Sequence, residues 1–239
     1  QRPADMSEPR FDHPRLIADI GGTFARFALE VAPHVFEHSA SLRCQDFPDF
    51  HAAVTAYLST LKGVLVGDIK HAAIAIANPV SGDQVRMTNY HWQFSIEQMR
   101  ERLHFDNLVV VNDFTALAMA LPSLSPQQRR QFGAGAAVPR SVVGLIGAGT
   151  GLGVSGLIPA DDGWIALGTE GGHTSFSPHD EREVAILQYA WRTYDHVSFE
   201  RLLSGHGIEL IFNALTDRAG QPPRTLDAPE ITRLALEGT

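Results

Sequence analysis

The sequence LIADIGGTFARFALE, residues 16–30, carries the most informative pattern in this chain. An apolar run leads into the Gly21-Gly22 pair, and apolar residues then alternate with polar ones, which predicts a strand, a tight turn and a second strand. Glycine lets the backbone approach a ligand with no Cβ in the way, and successive N–H groups can form an anion-binding nest. The hairpin therefore predicts phosphate binding at its turn.

A second glycine turn follows later in the chain. Residues 142–158 repeat the pattern of strand, turn and strand, with the turn sequence GAGTGLG at residues 147–153. Asn112 and Asp113 lie between the two turns, directly after an apolar run that predicts a strand. Two such turns, far apart in sequence, suggest two halves that hold one phosphate chain. The chain is therefore a candidate phosphotransferase.

The rest of the chain alternates strand and helix patterns, with helices predicted over residues 50–60 and 181–194 among others, which predicts an α/β protein. Because the same motif opens both halves, we expect two similar domains with a cleft between them. The division predicted is a small N-terminal α/β domain over residues 1–112 and a larger C-terminal α/β domain over residues 113–239. Helices but no strand are predicted after residue 167, so the sheet of the second domain is expected to be incomplete.

Composition excludes several classes of protein. The 239 residues carry a net charge of −8, with 27 acidic against 19 basic side chains, and no basic stripe interleaved with aromatics that would favour nucleic-acid binding. Cys44 is the only cysteine, which excludes an intrachain disulfide and fits a reducing compartment. Residues 1–15 lack the apolar segment of a signal peptide, and no apolar run approaches the length of a membrane span. We expect a cytoplasmic protein with neither a membrane nor a nucleic-acid partner.

Two familiar nucleotide-binding motifs are absent from the sequence. The only lysines are Lys62 and Lys70, and neither precedes Ser or Thr in a glycine-rich loop, which excludes a P-loop. The second turn also lacks the spacing G-x-G-x-x-G, which disfavours a Rossmann dinucleotide site.

Asp113 has two interpretations. An Asp between a strand and a helix most often caps the helix. This Asp also follows the carboxyl end of a buried strand, where ligand crevices open in α/β sheets. A carboxylate there can accept a hydroxyl proton while the hydroxyl attacks phosphorus. The position favours the catalytic role.

Asp19 precedes the first glycine turn. A Gly-Gly hairpin turn is usually only structural, but a carboxylate beside it would repel phosphate unless a cation lay between them. The sequence therefore predicts Mg²⁺, held by Asp19 through water and bridging the nucleotide phosphates. With so few lysines, the phosphate charge must be neutralised by metal, backbone amides and Arg26.

Glu170 and His173 flank a Gly-Gly pair and form the third candidate motif. A lone His is more often a surface residue, and its neighbours have no recognised metal-ligand spacing. A Glu and a His on a glycine loop can present acceptors and donors to the hydroxyls of a sugar. Glu200, on sequence grounds alone, is a solvated charge.

Taken together, these motifs resemble the bacterial glucokinases of the hexokinase–actin–sugar kinase superfamily. The resemblance runs from about residue 16 to the end of the chain, and its matching segments are residues 16–29, 75–92, 110–122, 147–154, 170–178 and 196–207. It implies a two-domain actin-like, ribonuclease H-like fold that closes over sugar and ATP. Members of the family are cytoplasmic, use Mg²⁺ and commonly form dimers, so a homodimer is expected.

The resemblance also implies roles for individual residues. Asp113 would be the general base that takes the proton from the 6-hydroxyl of D-glucose. The nucleotide phosphates would lie along Ala18, Asp19, Ile20, Gly21, Gly22 and Thr23 and against Gly149 and Thr150. The sugar would be held by Asn112, Asp113, Gly151, Glu170, His173 and Glu200.

The chain departs from the family in two places. Phe24 stands where the family usually has Asn, so any polar role of that side chain is lost. Glucokinases also continue well beyond the position of Thr239, so part of the nucleotide pocket is expected to be missing. Two alternatives therefore stay open: a sugar-binding or sensing module without turnover, and a kinase for another acceptor such as a different hexose, an amino sugar or acetate.

Overall fold

A computed structural model describes residues 13–238 of the chain, apart from residues 62, 64, 65, 88, 89, 162 and 223. Most of the polar N-terminal stretch, residues 1–12, therefore lies outside the described part, as do two residues of the segment 75–92. The chain divides into two compact units, one ending at Leu117 and the other beginning at Ala118. The domain boundary between residues 112 and 113 stays a prediction.

The first unit is built around a mixed sheet. In chain order its elements are β1 (Arg15–Ile20), β2 (Phe24–Ala32), β3 (Val35–Arg43), α1 (Phe50–Thr60), β4 (His71–Ile76), β5 (Gln84–Arg86), β6 (Gln93–Ser95), α2 (Ile96–Arg102), β7 (Asn107–Asn112) and α3 (Asp113–Ala120), which crosses into the second unit. The five-stranded sheet has the order β3-β2-β1-β4-β7, and β5 pairs with β6 separately. Strands β1, β2 and β3 are antiparallel, whereas β1, β4 and β7 run parallel.

Alternating apolar residues explain why these strands form the core. Leu16, Ala18 and Ile20 of β1 point to one face and are buried, and α1 buries Phe50 and Tyr57 in the same cluster. Burial raises the pKa of Tyr57 to about 12, so its hydroxyl stays neutral and donates to the carbonyl oxygen of His38 at 3.0 Å.

The parallel register brings three strand ends to one edge of the sheet. Ile20 pairs with Ile76, and Ile76 pairs with Asn112, so β1, β4 and β7 end level with one another. The residues that follow these strands therefore emerge side by side. They include the first glycine turn and Asp113.

The second unit contains a smaller antiparallel sheet and a group of helices. Its elements are β8 (Val143–Ala148), β9 (Leu152–Ala160), β10 (Gly163–Gly168), α4 (Glu181–Ala190), α5 (Phe199–Leu202), α6 (Gly205–Arg218) and α7 (Ala228–Glu237). The strands have the order β10-β9-β8. Helices α4, α5 and α6 contribute the buried apolar cluster of this unit, which includes Ile186, Leu202 and Ala214. Within the described residues, no helix has both the length and the apolar character that crossing a membrane requires.

Most predicted elements are confirmed, including both strand–glycine turn–strand units and the helix over residues 50–60. Strands β3 and β6 and helix α6 escaped prediction. Strand β3 is largely exposed and polar, so pairing with β2 rather than burial defines it. Helix α6 begins in the glycine-rich sequence SGHG, which suggests a loop, but Ser204 caps the helix by accepting from the Gly207 N–H at 3.2 Å. Helix α4 also ends at Ala190, earlier than the predicted residue 194.

The two glycines at the start of α6 differ in their surroundings. A Cβ on Gly207 would lie 2.1 Å from the carbonyl oxygen of Leu202, and the obstacle is backbone. A Cβ on Gly205 would meet nothing within 4 Å. The close approach of α5 to α6 therefore requires glycine at residue 207 alone.

We expect Gly207→Ala to lower the free energy of unfolding by about 3 kcal/mol, because the backbone of Leu202 must move to admit the methyl group. Gly205→Ala is the matched control, and it should leave stability unchanged or raise it by up to about 1 kcal/mol, since alanine favours helix over glycine. Urea denaturation of both variants measures the difference. Equal stabilities would contradict this packing.

Candidate active site

The first glycine turn offers two unpaired backbone donors. The Gly21 N–H donates to the carbonyl oxygen of Phe24 at 2.9 Å and closes the hairpin. Cys44 holds the turn through two hydrogen bonds: its N–H donates to the Thr23 carbonyl at 2.9 Å, and its thiol donates to the Gly21 carbonyl at 3.4 Å. The N–H groups of Gly22 and Thr23 donate to no residue that the structure describes. The turn can therefore bind an anion through its backbone, and Phe24 does not prevent it.

Asn112 rather than Asp113 supplies the main cap of α3. Its side-chain oxygen accepts from the N–H groups of Phe114 at 3.0 Å and Thr115 at 3.2 Å. Its amide nitrogen donates to Asp113 Oδ1 at 2.9 Å and to the Asn78 carbonyl at 3.4 Å. Both polar ends of Asn112, which was predicted to bind sugar, are thus engaged within the protein.

Asp113 keeps one carboxylate oxygen available. Oδ1 accepts from Asn112 and from the Phe114 N–H, both at 2.9 Å. Oδ2 forms no hydrogen bond within the described part of the chain. Burial raises the pKa of Asp113 above the usual aspartate value, and the negative charge of Asp19 raises it further, against the opposing effect of these hydrogen bonds. The half-buried side chain is therefore fixed through one oxygen and can accept a proton at the other.

Asp19 is exposed and paired with a cation. Its Oδ2 lies 2.9 Å from Arg26 Nη1, and the two residues are neighbours on β1 and β2. No group of three or more His, Cys, Asp or Glu among the described residues is placed to hold a metal ion. Mg²⁺, however, keeps several waters and commonly binds through one or two carboxylates together with substrate phosphates. A single accessible carboxylate beside an anion-binding turn fits a site of that kind.

The second glycine turn has the same property as the first. The Gly149 N–H donates to the Gly151 carbonyl at 2.8 Å, and the Gly205 N–H donates to the Gly149 carbonyl at 3.1 Å. In the described structure the N–H groups of Thr150 and Gly151 have no hydrogen-bond acceptor. The N-terminal end of α6 thus holds this turn in a shape that presents two further donors.

Glu200 is tied to that turn, so its interpretation as a solvated charge was wrong. Its Oε2 accepts from the Leu152 N–H at 3.0 Å, and the side chain is only 32% exposed. A Cβ on Gly151 would lie 2.5 Å from this oxygen, so only glycine leaves room for the carboxylate. Ser198 caps the short helix α5 and fixes where Glu200 leaves the backbone.

His173 lies between two carboxylates. Its Nε2 is 3.7 Å from Glu170 Oε2, and its Nδ1 is 3.7 Å from Glu200 Oε1. These distances exceed those of direct hydrogen bonds, so the polar atoms are available to a ligand. The second unit therefore brings together three of the predicted sugar ligands and the second turn. The first unit independently brings together the first turn, Asp19 and Asp113.

Comparison with solved structures defines the class of protein. A crystal structure of glucokinase from an Antarctic psychrotroph has a TM-score of 0.84 and 36% sequence identity, and the match covers 96% of this chain and 72% of that one. The α/β fold is thus that of the sugar kinases, as predicted. The sequence profile of glucokinases matches residues 16–239. The chain belongs to the glucokinase family.

Curated relatives agree with that membership. The bifunctional protein glk of Paraburkholderia xenovorans is 56% identical over 228 residues, which is 95% of this chain but 35% of the relative. A Neisseria meningitidis glucokinase is 51% identical over 226 residues, or 95% of this chain and 68% of the relative. The chain thus spans about a third of the length of the bifunctional relatives that it matches.

Because the pKa of Asp113 is raised in the folded chain, we expect its negative charge to lower the stability of the fold at neutral pH. Below the unfolded-state pKa of about 3.9, the carboxyl is protonated in both states. As the pH rises from there to the folded-state pKa, the unfolded chain releases the proton first, and the folded state loses stability. Above the folded-state pKa the loss is complete. We therefore expect Asp113→Asn to unfold at a higher temperature than the unchanged chain at neutral pH.

Calorimetric scans at about pH 3 and about pH 7.5 check this expectation, with asparagine chosen because its oxygen can keep the bond from Phe114. The gap in melting temperature should close at the acidic pH. A gap that persists there, or none at neutral pH, would show that the charge of Asp113 does not oppose folding.

Proposed function

We propose that this chain phosphorylates D-glucose at its 6-hydroxyl with ATP and releases glucose 6-phosphate and ADP. The observation that carries the proposal is the carboxylate of Asp113. It is half-buried, held through Oδ1, open at Oδ2, and it follows the carboxyl end of β7. Membership of the glucokinase family supports the choice of reaction.

Asp113 acts as general base on the acceptor hydroxyl. A hydroxyl is a weak nucleophile, and removing its proton as it attacks the γ-phosphorus contributes typically 10²–10⁴-fold to the rate. Burial and the nearby charge of Asp19 raise the proton affinity of the carboxylate. The amide of Asn112 fixes Oδ1, so the proton goes to Oδ2. Asn112 positions the base in this scheme, in addition to its proposed place beside the sugar.

Backbone N–H groups of the two glycine turns would bind the phosphate chain, and Asp19 would hold a metal ion beside it. Each glycine turn has two N–H groups without a described acceptor: those of Gly22 and Thr23 in the first, and those of Thr150 and Gly151 in the second. The proposed nucleotide-contacting residues are Ala18, Asp19, Ile20, Gly21, Gly22, Thr23, Gly149 and Thr150. Mg²⁺ held by Asp19 through water would neutralise phosphate charge as the phosphoryl group is transferred.

The acceptor sugar is held by hydrogen bonds that match its hydroxyls. Glu170, His173 and Glu200 alternate acceptor and donor groups, and Gly151 brings the backbone close to them. A site built this way discriminates strongly against a missing hydroxyl, because its own polar groups would be left unpaired. On the family resemblance we also propose a cytoplasmic enzyme that forms a homodimer.

We expect Asp113→Asn to reduce turnover by about 10²–10⁴-fold while glucose still binds, because asparagine keeps the shape but cannot accept the proton. Asp106→Asn is the matched control, since this exposed residue directly precedes β7 at the opposite end of the same strand. Glucose-dependent ADP release in a coupled assay measures turnover, and calorimetry measures glucose binding.

The outcomes separate the alternatives. Near-normal turnover by Asp113→Asn would reject this residue as the base. Glucose binding by the unchanged chain without any turnover would favour a binding module. Higher kcat/KM for another sugar in a panel of hexoses and amino sugars would change the acceptor but not the chemistry.

Asp19→Asn should raise the Mg²⁺ concentration needed for half-maximal turnover by about tenfold or more, because an amide is a weaker partner than a carboxylate for metal-bound water. The glucose dissociation constant, measured without nucleotide, should not change. A Mg²⁺ titration of the coupled assay provides the measurement. An unchanged Mg²⁺ requirement would remove Asp19 from the metal site.

A further inference from the structure

The turn that carries Glu170 and His173 is held by a neighbouring hydroxyl group. Thr169 Oγ1 donates to the Val154 carbonyl at 2.8 Å and accepts from the Gly171 N–H at 3.2 Å. Thr169 directly follows β10, where the last cross-strand pair of the ladder is Gly168 with Ser155. Its side chain thus continues the attachment to β9 beyond the point where the backbone pairing stops.

The same turn packs closely against β9, and its two glycines permit this approach. A Cβ on Gly171 would be 2.9 Å from Val154 Cγ1, and a Cβ on Gly172 would be 2.2 Å from the Leu152 carbonyl oxygen. The turn therefore rests directly on the first residues of β9. The Thr169 hydroxyl is the side-chain donor that fastens it there.

The bond to Gly171 fixes a peptide group that both candidate ligands depend on. The Gly171 N–H and the Glu170 carbonyl belong to one planar unit, so holding the first orients the second. That carbonyl accepts from the His173 N–H at 3.0 Å, which closes the turn. At the other end, the Thr174 hydroxyl donates to the Gly171 carbonyl at 2.8 Å. Loss of the Thr169 hydroxyl would thus free one end of the turn while the other stays attached.

We infer that Thr169 is a positioning residue that sets Glu170 and His173 for the acceptor sugar. It acts through the backbone of the turn and not by contact with the ligand. This inference rests on the proposed function, because it assumes that Glu170 and His173 bind glucose. It adds a requirement that the motif Glu-Gly-Gly-His does not contain: a hydroxyl on the preceding residue.

We expect Thr169→Val to weaken glucose binding about tenfold, the effect of losing roughly 1.4 kcal/mol of hydrogen bonding in the turn. Thr169→Ser keeps the hydroxyl and should stay within about twofold of the unchanged chain. Thr232→Val is the matched control, since that hydroxyl donates to the Ala228 carbonyl within α7 at 2.8 Å. Calorimetry gives the glucose dissociation constant, and the coupled assay gives the KM for ATP, which should not move.

Amide hydrogen exchange at Gly171 tests the cause independently of turnover. It should be faster in Thr169→Val than in Thr169→Ser, because only the valine variant lacks an acceptor for that N–H. Thr169→Ala is the second variant should valine disturb the fold, as it removes both bonds without a branched side chain.

Two failures are distinguishable. If the unchanged chain binds glucose and the valine and alanine variants bind it equally well, Thr169 does not position the site and only this inference is overturned. A parallel rise in the KM for ATP would likewise overturn it, because the effect would then be general. If the unchanged chain binds no glucose, the proposed function fails, and this inference with it.

Discussion

One hydrogen bond between a carboxylate and a backbone amide organises the second unit. Glu200 accepts from the Leu152 N–H at 3.0 Å, and a charged acceptor makes such a bond stronger than one between neutral groups. Leu152 begins β9 directly after the second glycine turn, and its carbonyl is the obstacle that restricts Gly172. The backbone of Leu152 therefore contacts both Glu200 and the loop that carries His173, directly beside the second glycine turn. The proposed phosphate and sugar contacts of this unit are therefore linked through the backbone around Leu152.

The first unit reaches a comparable arrangement by strand register. Parallel strands β1, β4 and β7 end level, so the residues that follow them lie along one edge of the sheet. Side-chain hydrogen bonds then hold individual groups at this edge: Cys44 holds the first glycine turn, and Asn112 holds Asp113. Backbone pairing thus supplies the approximate position of Asp113, and the side chain of Asn112 supplies its orientation.

Sequence patterns predict those features that depend on neighbours in the chain. Both glycine turns, their flanking strands and the position of Asp113 after β7 follow from apolar alternation and turn residues. The bond from Leu152 to Glu200 joins residues 48 positions apart, so no local pattern contains it. The capping role of Asn112 was not predicted, although Asn is a preferred capping residue, because the adjacent Asp113 fits the same position. Thr169 gives only a weak signal, because threonine hydroxyls often bond nearby backbone.

The pKa of Asp113 bears on the two interpretations of that residue, as helix cap and as base. Asp83 and Asp180 accept from the backbone N–H groups of α2 and α4 and have pKa values below the usual aspartate range. Hydrogen bonds stabilise the charge in both cases, chiefly one from the Ser95 side chain for Asp83 and one from the Glu183 N–H for Asp180. Both of these carboxyl groups are exposed, whereas that of Asp113 is half-buried. Burial and the charge of Asp19 instead raise its pKa, although it accepts two hydrogen bonds. Carboxyl groups that oppose folding in this way are concentrated at functional sites. The raised pKa of Asp113 therefore supports its proposed role as a base, which its position beside a helix end alone does not.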